Sequence, residues 1–347
     1  MTPATESTAV PPPSDRAVVM RLMFGAWLQQ ALYVVAKLGV ADALTAGTAT
    51  ADELAARVGA HPGALARFLR ALCSVGLFAE PERGRFALNG PAELLRSDVP
   101  DSHRYIAILH GEEAYAACAE ALHTARTGQP AFDRVYGKPY FDYLAEKPEA
   151  RATFDAAMGQ QTLVPLVAET CDFSGAQRIV DIGGGIGVFL SSVLERTPGA
   201  SGVLFDLPPA VERAERNIAR LGLTDRVSVV GGSCFDAVPA GGDVYSIVRV
   251  LHDFDDGQVL TVLRNVRAAV RPDGRLFVFD ALLPESSGVN PGRLADLGML
   301  MVLGGRYRTG ADLAELVARA GFEVVGIRHA PPGSDPRAES VLEARPV

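Results

Sequence analysis

The stretch "RIVDIGGGIGVFLSSVLERTPG", from Arg178 to Gly199, contains four glycines within five residues, directly after a short apolar run. Residues 179–182 predict a buried strand, and the run that begins at Val188 predicts a helix. Glycine allows unusual φ/ψ angles and lets a ligand approach the main chain closely. The first N–H groups of a helix have no partner within the helix, so they favour an anionic or polar ligand. This junction therefore predicts a ligand site between the strand and the helix.

The chain after Gln177 alternates apolar runs with segments of helix length. Five runs predict strands: "RIVDIG", "SGVLFDLP", "RVSVVGG", "DVYSIVRVL" and "GRLFVFDALL". The alternation predicts an α/β fold, with a mostly parallel sheet that helices cover on both faces. The final segment "FEVVGIRHAPPGSDPRAESVLEARPV" holds two further runs without a helix between them. These runs predict an antiparallel strand pair that closes the sheet.

The N-terminal half of the chain shows helical patterns instead. Residues 1–14 are rich in Pro, Thr and Ser, which predicts a disordered tail. The segment "TADELAARVG" opens with a capping box at Thr50 and Glu53. A second helix follows, with apolar residues at helical spacing: Leu65, Phe68, Leu69 and Leu72. Together with the strand "GRFALN", these two helices predict a winged helix.

A winged helix is found both in DNA-binding regulators and in dimerisation modules. Between Thr50 and Pro100 the arginines are balanced by carboxylates, so no basic surface stands out. Because phosphate contacts supply much of the affinity for DNA, this balance favours a dimerisation module over a regulator. An apolar N-terminal helix would need a partner surface for its residues Val18, Val19, Leu22, Met23 and Trp27.

The composition is that of a folded protein, and its charge argues against an anionic binding partner. The 347 residues, 48% of them hydrophobic, are sufficient for two domain cores. The formal net charge of −8 argues against a general affinity for nucleic acid or an anionic membrane. No signal-peptide pattern and no apolar run of about 20 residues stands out in the sequence. We expect a protein of the reducing cytoplasm, because four dispersed cysteines form no CxxC pair: Cys73, Cys118, Cys171 and Cys234.

The glycine turn also separates classes of nucleotide ligand. A dinucleotide-binding GxGxxG pattern would require glycine where Val188 or Leu190 stands, which disfavours a nicotinamide cofactor. The next predicted strand ends at Asp206, and a carboxylate there is suited to both hydroxyls of a ribose. The turn and the carboxylate together favour a nucleoside ligand.

Five ordered motifs then carry a family resemblance: "DIGGGIGVFL", "LFDLPPAVERA", "DRVSVVGGSCFDAVPAGGDVY", "VRVLHDFDD" and "DLGMLMVLGGRYRTGADLAELVARAGF". The chain resembles the S-adenosylmethionine-dependent O-methyltransferases of the plant caffeate type, in their bacterial natural-product branch. The resemblance covers nearly the whole chain, including "ARATFDAAMGQQT". It implies a class I methyltransferase sheet of the Rossmann-like kind, S-adenosylmethionine as cofactor, a homodimer, and methylation of a hydroxyl on an aromatic or polyketide small molecule.

The resemblance also implies a division of the chain. After the tail, residues 15–100 would form the winged-helix dimerisation domain, and residues 101–170 a helical connector that contributes to the substrate cavity. Residues 171–347 would form the domain that binds S-adenosylmethionine.

Similarity to the family assigns a set of cofactor-binding residues. Asp181 stands before the glycines, and Gly183, Gly185 and Gly187 would allow the cofactor to approach the backbone. The remaining positions follow three strands: Asp206, Leu207, Ser233, Cys234, Phe235 and Arg249. The sequence departs from the family at Ser233, where relatives usually carry Asp beside the adenine.

His252 is the candidate general base. A phenol keeps its proton up to a pKa of about 10, so methyl transfer to a hydroxyl requires a base. His252 follows the strand "VYSIVRVL" at the sheet edge where ligands bind in such folds, and an ordinary histidine pKa of about 6.5 would keep it largely neutral. Asp280, which ends the next strand, matches a family carboxylate that would orient His252. Asp253 is expected beside His252.

A metal site is the alternative for this segment. Asp253, Asp255 and Asp256 could bind a hard cation together with His252. A simpler role for Asp255 or Asp256 is to cap the helix that starts at "GQVLTVLRNVRAAV". We expect no metal.

The acceptor pocket is the least defined part of the prediction. Five residues resemble positions that line the family's substrate cavity, although each is equally suited to a hydrophobic core: Phe141, Phe154, Met158, Met299 and Leu303. Tyr307 stands where relatives usually carry Glu, so we expect Asp280 to be the only carboxylate partner of His252 and the pKa of His252 to be less elevated. We further expect Tyr307 to reshape the pocket. Two alternatives stay open, namely a member of the fold that decarboxylates or hydroxylates, and a dimeric regulator.

Overall fold

The computed structural model describes residues 14–159, 171–286, 290–329 and 340–347. The chain forms two compact units, the first ending at Glu112 and the second beginning at Glu113. The predicted tail lies outside the described residues except for Ser14, whose Oγ caps the first helix by accepting from Ala17 N at 3.3 Å. The last three residues of "ARATFDAAMGQQT" also lie outside the described part. The finer division at residues 100 and 170 stays a prediction.

The first unit is helical, with a small antiparallel sheet. Its three strands, in the order β1-β3-β2, are β1 Ala49–Thr50, β2 Ala79–Glu82 and β3 Arg85–Ala87. Its helices are α1 Asp15–Met23, α2 Gly25–Leu38, α3 Val40–Ala43, α4 Ala51–Val58, α5 Pro62–Cys73, α6 Gly90–Glu93 and α7 Arg104–Gly111. The α4 and α5 helices followed by the β2–β3 hairpin are the elements that the sequence predicts for a winged helix.

Local sequence explains where α4 begins. Thr50 Oγ1 accepts from Glu53 N at 3.2 Å, and the Glu53 carboxylate accepts from Thr50 N at 2.7 Å, so the predicted capping box is confirmed. The core beneath contains fully buried residues of α2, α4, α5 and β3, among them Val35, Leu54, Leu69 and Phe86. The α1 helix has no buried residue.

In the described ranges, every individual helix is too short or too polar to cross a membrane. The pair α1 and α2, bent by 47°, meets the requirement in length and composition only.

The second unit is built on a seven-stranded sheet in the order β6-β5-β4-β7-β8-β10-β9. The strands are β4 Arg178–Ile182, β5 Ser201–Asp206, β6 Val227–Gly231, β7 Val244–Val248, β8 Arg275–Asp280, β9 Phe322–Arg328 and β10 Ser340–Pro346. The first five run parallel, whereas β10 is antiparallel to both β8 and β9. The predicted mostly parallel sheet and its antiparallel closing pair are therefore confirmed.

The described part of the second unit also contains ten helices. They are α8 Glu113–Ala119, α9 Ala121–Thr127, α10 Ala131–Tyr136, α11 Tyr140–Glu146, α12 Pro148–Gly159, α13 Val188–Arg196, α14 Pro208–Arg220, α15 Asp256–Ala269, α16 Pro291–Val302 and α17 Gly310–Arg319. Asp255 or Asp256 was expected to cap α15. Asp255 is the residue that does so, and it forms a capping box with Gln258. The carboxyl ends of the parallel strands β4, β5, β7 and β8 meet at one sheet edge, and the predicted site residues follow those ends.

Candidate active site

The glycine loop between β4 and α13 combines left-handed backbone with tight packing. Gly183, Gly185 and Gly187 have φ of 69°, 58° and 85°. A Cβ at Gly183 would lie 2.5 Å from Val250 Cγ2, and one at Gly187 would lie 2.8 Å from Leu204 Cδ1. Among the described residues, nothing lies within 4 Å of a Cβ at Gly185. Two of the glycines are therefore required by packing, while Gly185 borders open space where a ligand can approach the backbone.

Asp206, the last residue of β5, binds the backbone of the glycine loop. Its Oδ2 accepts from Gly185 N and its Oδ1 from Leu207 N, both at 2.7 Å. Burial raises the pKa of the Asp206 carboxyl, and these two N–H donors oppose that rise. Gly232 N donates to the Asp206 carbonyl at 2.9 Å, which joins the end of β6 to the same site.

Asp181 lies beneath the loop on β4 and is 1% exposed. Its Oδ1 accepts from Ser246 Oγ at 2.7 Å, whereas Oδ2 is buried with no hydrogen-bond partner in the described part of the chain. Burial raises the pKa of Asp181 to about 7. Ser246 was missed by the sequence analysis, although a hydroxyl within the apolar strand "VYSIV" was a usable signal.

The predicted adenine segment follows β6. Asn265 Nδ2 donates to the carbonyls of Cys234 at 2.8 Å and Phe235 at 3.0 Å, which fixes the backbone. The Phe235 ring meets Phe254 edge to face at 4.9 Å. Burial raises the pKa of the Cys234 thiol to about 11, and Ser233 Oγ accepts from Phe235 N at 3.3 Å.

His252 lies on a single 3₁₀ turn, Leu251–Asp253, and is 7% exposed. Its Nδ1 is 2.6 Å from Asp280 Oδ1, and its Nε2 is 3.5 Å from Asp253 Oδ1. Since a carboxylate only accepts, Nδ1 carries the hydrogen, and Nε2 keeps its lone pair in the neutral ring. Asp280 Oδ1 also accepts from Ala281 N at 2.8 Å, which holds the carboxylate in place.

The expectation that Asp280 is the only carboxylate partner of His252 is wrong. The tight turn brings the side chain of Asp253 beside the ring of the preceding residue, which extended backbone would not do. Burial lowers the pKa of His252, but the charges of Asp280 and Asp253 outweigh burial and raise it above 6.5. Burial raises the pKa of Asp253 to about 6, against the effect of His252.

Arg249 adopts a conformation that is rare for a residue with a side chain. Its φ is 57°, and its N–H donates to the Phe279 carbonyl at 2.8 Å. Left-handed backbone at a non-glycine residue is costly and clusters at functional sites. The cationic side chain lowers the pKa of both His252 and Asp253, so it lies near them.

Tyr307 packs against the candidate base. It is 6% exposed, and its ring centroid is 5.0 Å from that of His252, at an interplanar angle of 78°. Its backbone N–H donates to Asp296 Oδ1 at 2.7 Å. Met299 packs against the same small cluster, which also contains Ala281 and Leu283.

The other predicted pocket residues lie on three helices. Phe141 and Phe154 meet edge to face at 5.9 Å, Met158 is exposed, and Leu303 is half-buried at the end of α16. Tyr140, which no motif in the sequence indicated, has a buried ring that contacts both phenylalanines. Burial raises the pKa of Tyr140, and nearby charges, including that of Asp253, raise it further. The aromatic group therefore lies close enough to the His252 turn for Asp253 to act on Tyr140 electrostatically.

The carboxylates of the alternative metal site have other partners. Asp255 caps α15, and Asp256 pairs with Arg308 at 2.7 Å and Arg306 at 3.2 Å. Within the described ranges no cluster of three or more His, Cys, Asp or Glu residues could hold a metal ion.

The sheet order, the glycine loop and the carboxylate at the end of β5 define a class I methyltransferase. The O-methyltransferase domain matches residues 115–323, and the O-methyltransferase dimerisation domain matches residues 20–98. The chain therefore belongs to the O-methyltransferase family, which uses S-adenosylmethionine, in its bacterial natural-product branch. The predicted family and fold class are confirmed.

Individual relatives match most or all of the chain. It is 40% identical to the phenazine O-methyltransferase PhzM of Lysobacter antibioticus, over 100% of both chains. It is 38% identical to the 8-amino-8-demethylriboflavin N,N-dimethyltransferase of Streptomyces davaonensis, over 86% of this chain and 88% of the relative. The O-methyltransferase NcsB1 from neocarzinostatin biosynthesis, solved with S-adenosylmethionine and 2-hydroxy-5-methyl naphthoic acid, matches with a TM-score of 0.79 and 34% identity, over 92% of this chain and 96% of that chain.

Proposed function

We propose that the protein transfers a methyl group from S-adenosylmethionine to a hydroxyl of an aromatic or polyketide small molecule in natural-product biosynthesis. His252 is the general base and Asp280 orients it. The observation that carries this proposal is the 2.6 Å contact between His252 Nδ1 and Asp280 Oδ1 at the ligand-binding edge of the sheet.

The residues of the glycine loop fit the cofactor. Gly185 leaves open space, and the Asp206 carboxylate lies beside it for the ribose. The unpartnered Oδ2 of Asp181 offers a buried acceptor to a polar group. The other proposed contacts are Gly183, Gly187, Leu207, Ser233, Cys234, Phe235 and Arg249. When bound, S-adenosylmethionine supplies an electrophilic methyl group on a sulfonium.

The proton moves through His252. Nδ1–H donates to Asp280, so the lone pair of Nε2 accepts the hydroxyl proton of the acceptor and leaves an oxyanion. The imidazolium that forms is stabilised by the carboxylates of Asp280 and Asp253 on its two sides.

The acceptor is proposed to bind beside Tyr307. Relatives named for a phenazine and for a naphthoic acid indicate flat aromatic acceptors. Tyr307 lies against the His252 ring, and its hydroxyl would bind an oxygen next to the methylated group. The remaining wall is proposed to consist of Phe141, Phe154, Met158, Asp253, Met299 and Leu303.

We propose oxygen rather than nitrogen as the acceptor atom. Both kinds of transfer occur among the relatives. The nitrogen of a neutral aromatic amine is nucleophilic without a base, whereas a phenol oxygen becomes a strong nucleophile only when a base removes its proton. A histidine held by a carboxylate supplies that base.

The test compares wild type and His252→Gln on matched phenol and aniline acceptors, with labelled S-adenosylmethionine. We expect phenol turnover to fall by roughly 10² to 10⁴-fold in the variant. Cofactor affinity, measured by calorimetry, should change little. Near-wild-type phenol turnover in the variant, or preferred methylation of the aniline by wild type, would refute the proposal.

The protein is further proposed to act as a homodimer, because residues 20–98 match the family's dimerisation domain. A cytoplasmic location is proposed on the separate ground that its four cysteines are dispersed along the chain.

A further inference from the structure

We propose that Arg308 is a positioning residue that fixes the turn Leu251–Asp253 and thereby the direction of His252 Nε2. This inference rests on the proposed role of His252 as base.

Arg308 is buried, 4% exposed, and binds the backbone on both sides of His252. Its Nη1 donates to the Leu251 carbonyl and its Nη2 to the Phe254 carbonyl, both at 2.9 Å. These two carbonyls bracket His252 and Asp253. The guanidinium therefore binds both ends of the short turn.

The positive charge of Arg308 is paired with the carboxylate of Asp256, two residues after Phe254. Nε and Nη2 donate to Asp256 Oδ1 at 3.0 and 2.7 Å. An arginine offers five donors in a rigid fork, so one side chain can bind two carbonyls and a carboxylate at once. A lysine has one nitrogen and cannot span both ends of the turn.

Gly305 holds the turn from the same segment. A Cβ there would overlap the carbonyl oxygen of His252 and the carbonyl carbon of Asp253. The segment 305–308 thus contacts the turn three times, through the bare backbone of Gly305, the ring of Tyr307 and the guanidinium of Arg308.

The consequence for the reaction is geometric. A base displaced by about 1 Å loses up to about 10²-fold in rate. Within the described ranges, the hydrogen bonds of Arg308 go to the turn, to Asp256 and to the Arg306 carbonyl, and none goes to the glycine loop. Loosening the turn should therefore lower turnover far more than it weakens cofactor binding.

The experiment uses Arg308→Lys and Arg308→Gln, with Arg306→Gln as the matched control. Arg306 pairs with the same Asp256 at 3.2 Å, but its side chain is 49% exposed. We expect kcat to fall about 10- to 100-fold in Arg308→Gln and less in Arg308→Lys, with the KM for S-adenosylmethionine within about twofold of wild type. The Arg306→Gln enzyme should behave as wild type.

A second readout needs no turnover. NMR titration of the His252 ring should show a lower pKa in Arg308→Lys, because a relaxed turn separates the imidazole from its carboxylates while the positive charge is kept. An unchanged His252 titration and kcat in both Arg308 variants, or equal losses in Arg306→Gln, would overturn the inference. If His252→Gln keeps full phenol turnover but the titration still shifts, the proposed base is wrong while the positioning by Arg308 stands.

Discussion

At the scale of single residues, the two carboxylates beside His252 act by different means. Asp280 Oδ1, at 2.6 Å from Nδ1, accepts a short hydrogen bond that fixes the ring and its tautomer. Asp253 Oδ1, at 3.5 Å from Nε2, is too distant for a strong hydrogen bond and acts mainly through its charge. Nε2 therefore stays available to a proton from the acceptor, although the site favours the charged ring.

This arrangement predicts the pH dependence of the rate. The base works only when deprotonated, and its pKa is raised above 6.5, so turnover should rise with pH through a pKa above that value and then level off. Asp253→Asn removes one of the charges that raise the pKa, so the rise should move to lower pH. Steady-state rates on a phenol acceptor from pH 5 to 9 measure both effects.

The control is Asp225→Asn, an exposed carboxylate of the same unit. It should leave the profile unchanged. A rise centred at or below 6.5 in wild type, or one that Asp253→Asn leaves in place, would contradict the assignment.

Part of this site could be predicted from single residues. Asp206 and His252 each follow an apolar run, and the ends of parallel strands meet at one edge, so the pattern alone places them together. Asp253 was expected beside His252 and lies there, but its approach to Nε2 at 3.5 Å depends on a single tight turn that the local sequence does not indicate. Arg308 reaches a carbonyl 57 positions away in the sequence, and such contacts arise only when the whole unit is packed.

At the scale of elements, the loop between β4 and α13 shows how glycine serves both packing and binding. Gly183 N donates to the Phe205 carbonyl at 2.7 Å, which binds the loop to β5, and Val250 fills the space where a side chain would be. The loop thus packs against Val250, which lies two residues before His252. A distortion of the loop at Gly183 should therefore weaken both cofactor binding and the stability of the fold.

Gly183→Ala tests that statement. The left-handed backbone costs an alanine about 1–2 kcal/mol, and its Cβ would clash with Val250, so the free energy of unfolding should fall by at least this amount. Affinity for S-adenosylmethionine should fall as well. Urea unfolding and calorimetry measure the two effects.

Gly199→Ala is the control, because Gly199 lies in an exposed turn after α13 with nothing within 4 Å of a Cβ. Its unfolding and binding should match wild type. Equal behaviour of the two variants would remove the special role of Gly183.

At the scale of the whole molecule, periodicity predicted the elements better than their arrangement. The five parallel strands and the closing pair follow from alternating apolar runs and turn residues. The position of β10 between β8 and β9 could not be predicted from this pattern, because strand order is set by side chains packed across the sheet and not by the local sequence. The same limit applies to the N-terminal helix, whose apolar residues could have belonged to a core.

The structure leaves that apolar surface exposed on the first unit. Val19, Leu22, Met23 and Trp27 are 56%, 75%, 64% and 69% exposed. Exposed apolar patches of this kind mark interaction sites. Leu22, Met23 and Trp27 lie within residues 20–98, the segment that matches the dimerisation domain, and Val19 lies directly before it. A truncation that removes residues up to Lys37 would not test this surface alone, because it would also remove Val35 from the core of the first unit.

Point substitutions give the decisive test of assembly. Light scattering of wild type should give twice the chain mass of 36.6 kDa, since burying this surface between two copies removes it from water. Leu22→Glu and Trp27→Glu introduce charges that a buried interface cannot accommodate, so each should yield monomer or aggregate. Val75→Glu, at an apolar residue after α5 that is 57% exposed, should leave the dimer intact. A monomeric wild type, or dimers that survive both substitutions, would show that this surface has another role.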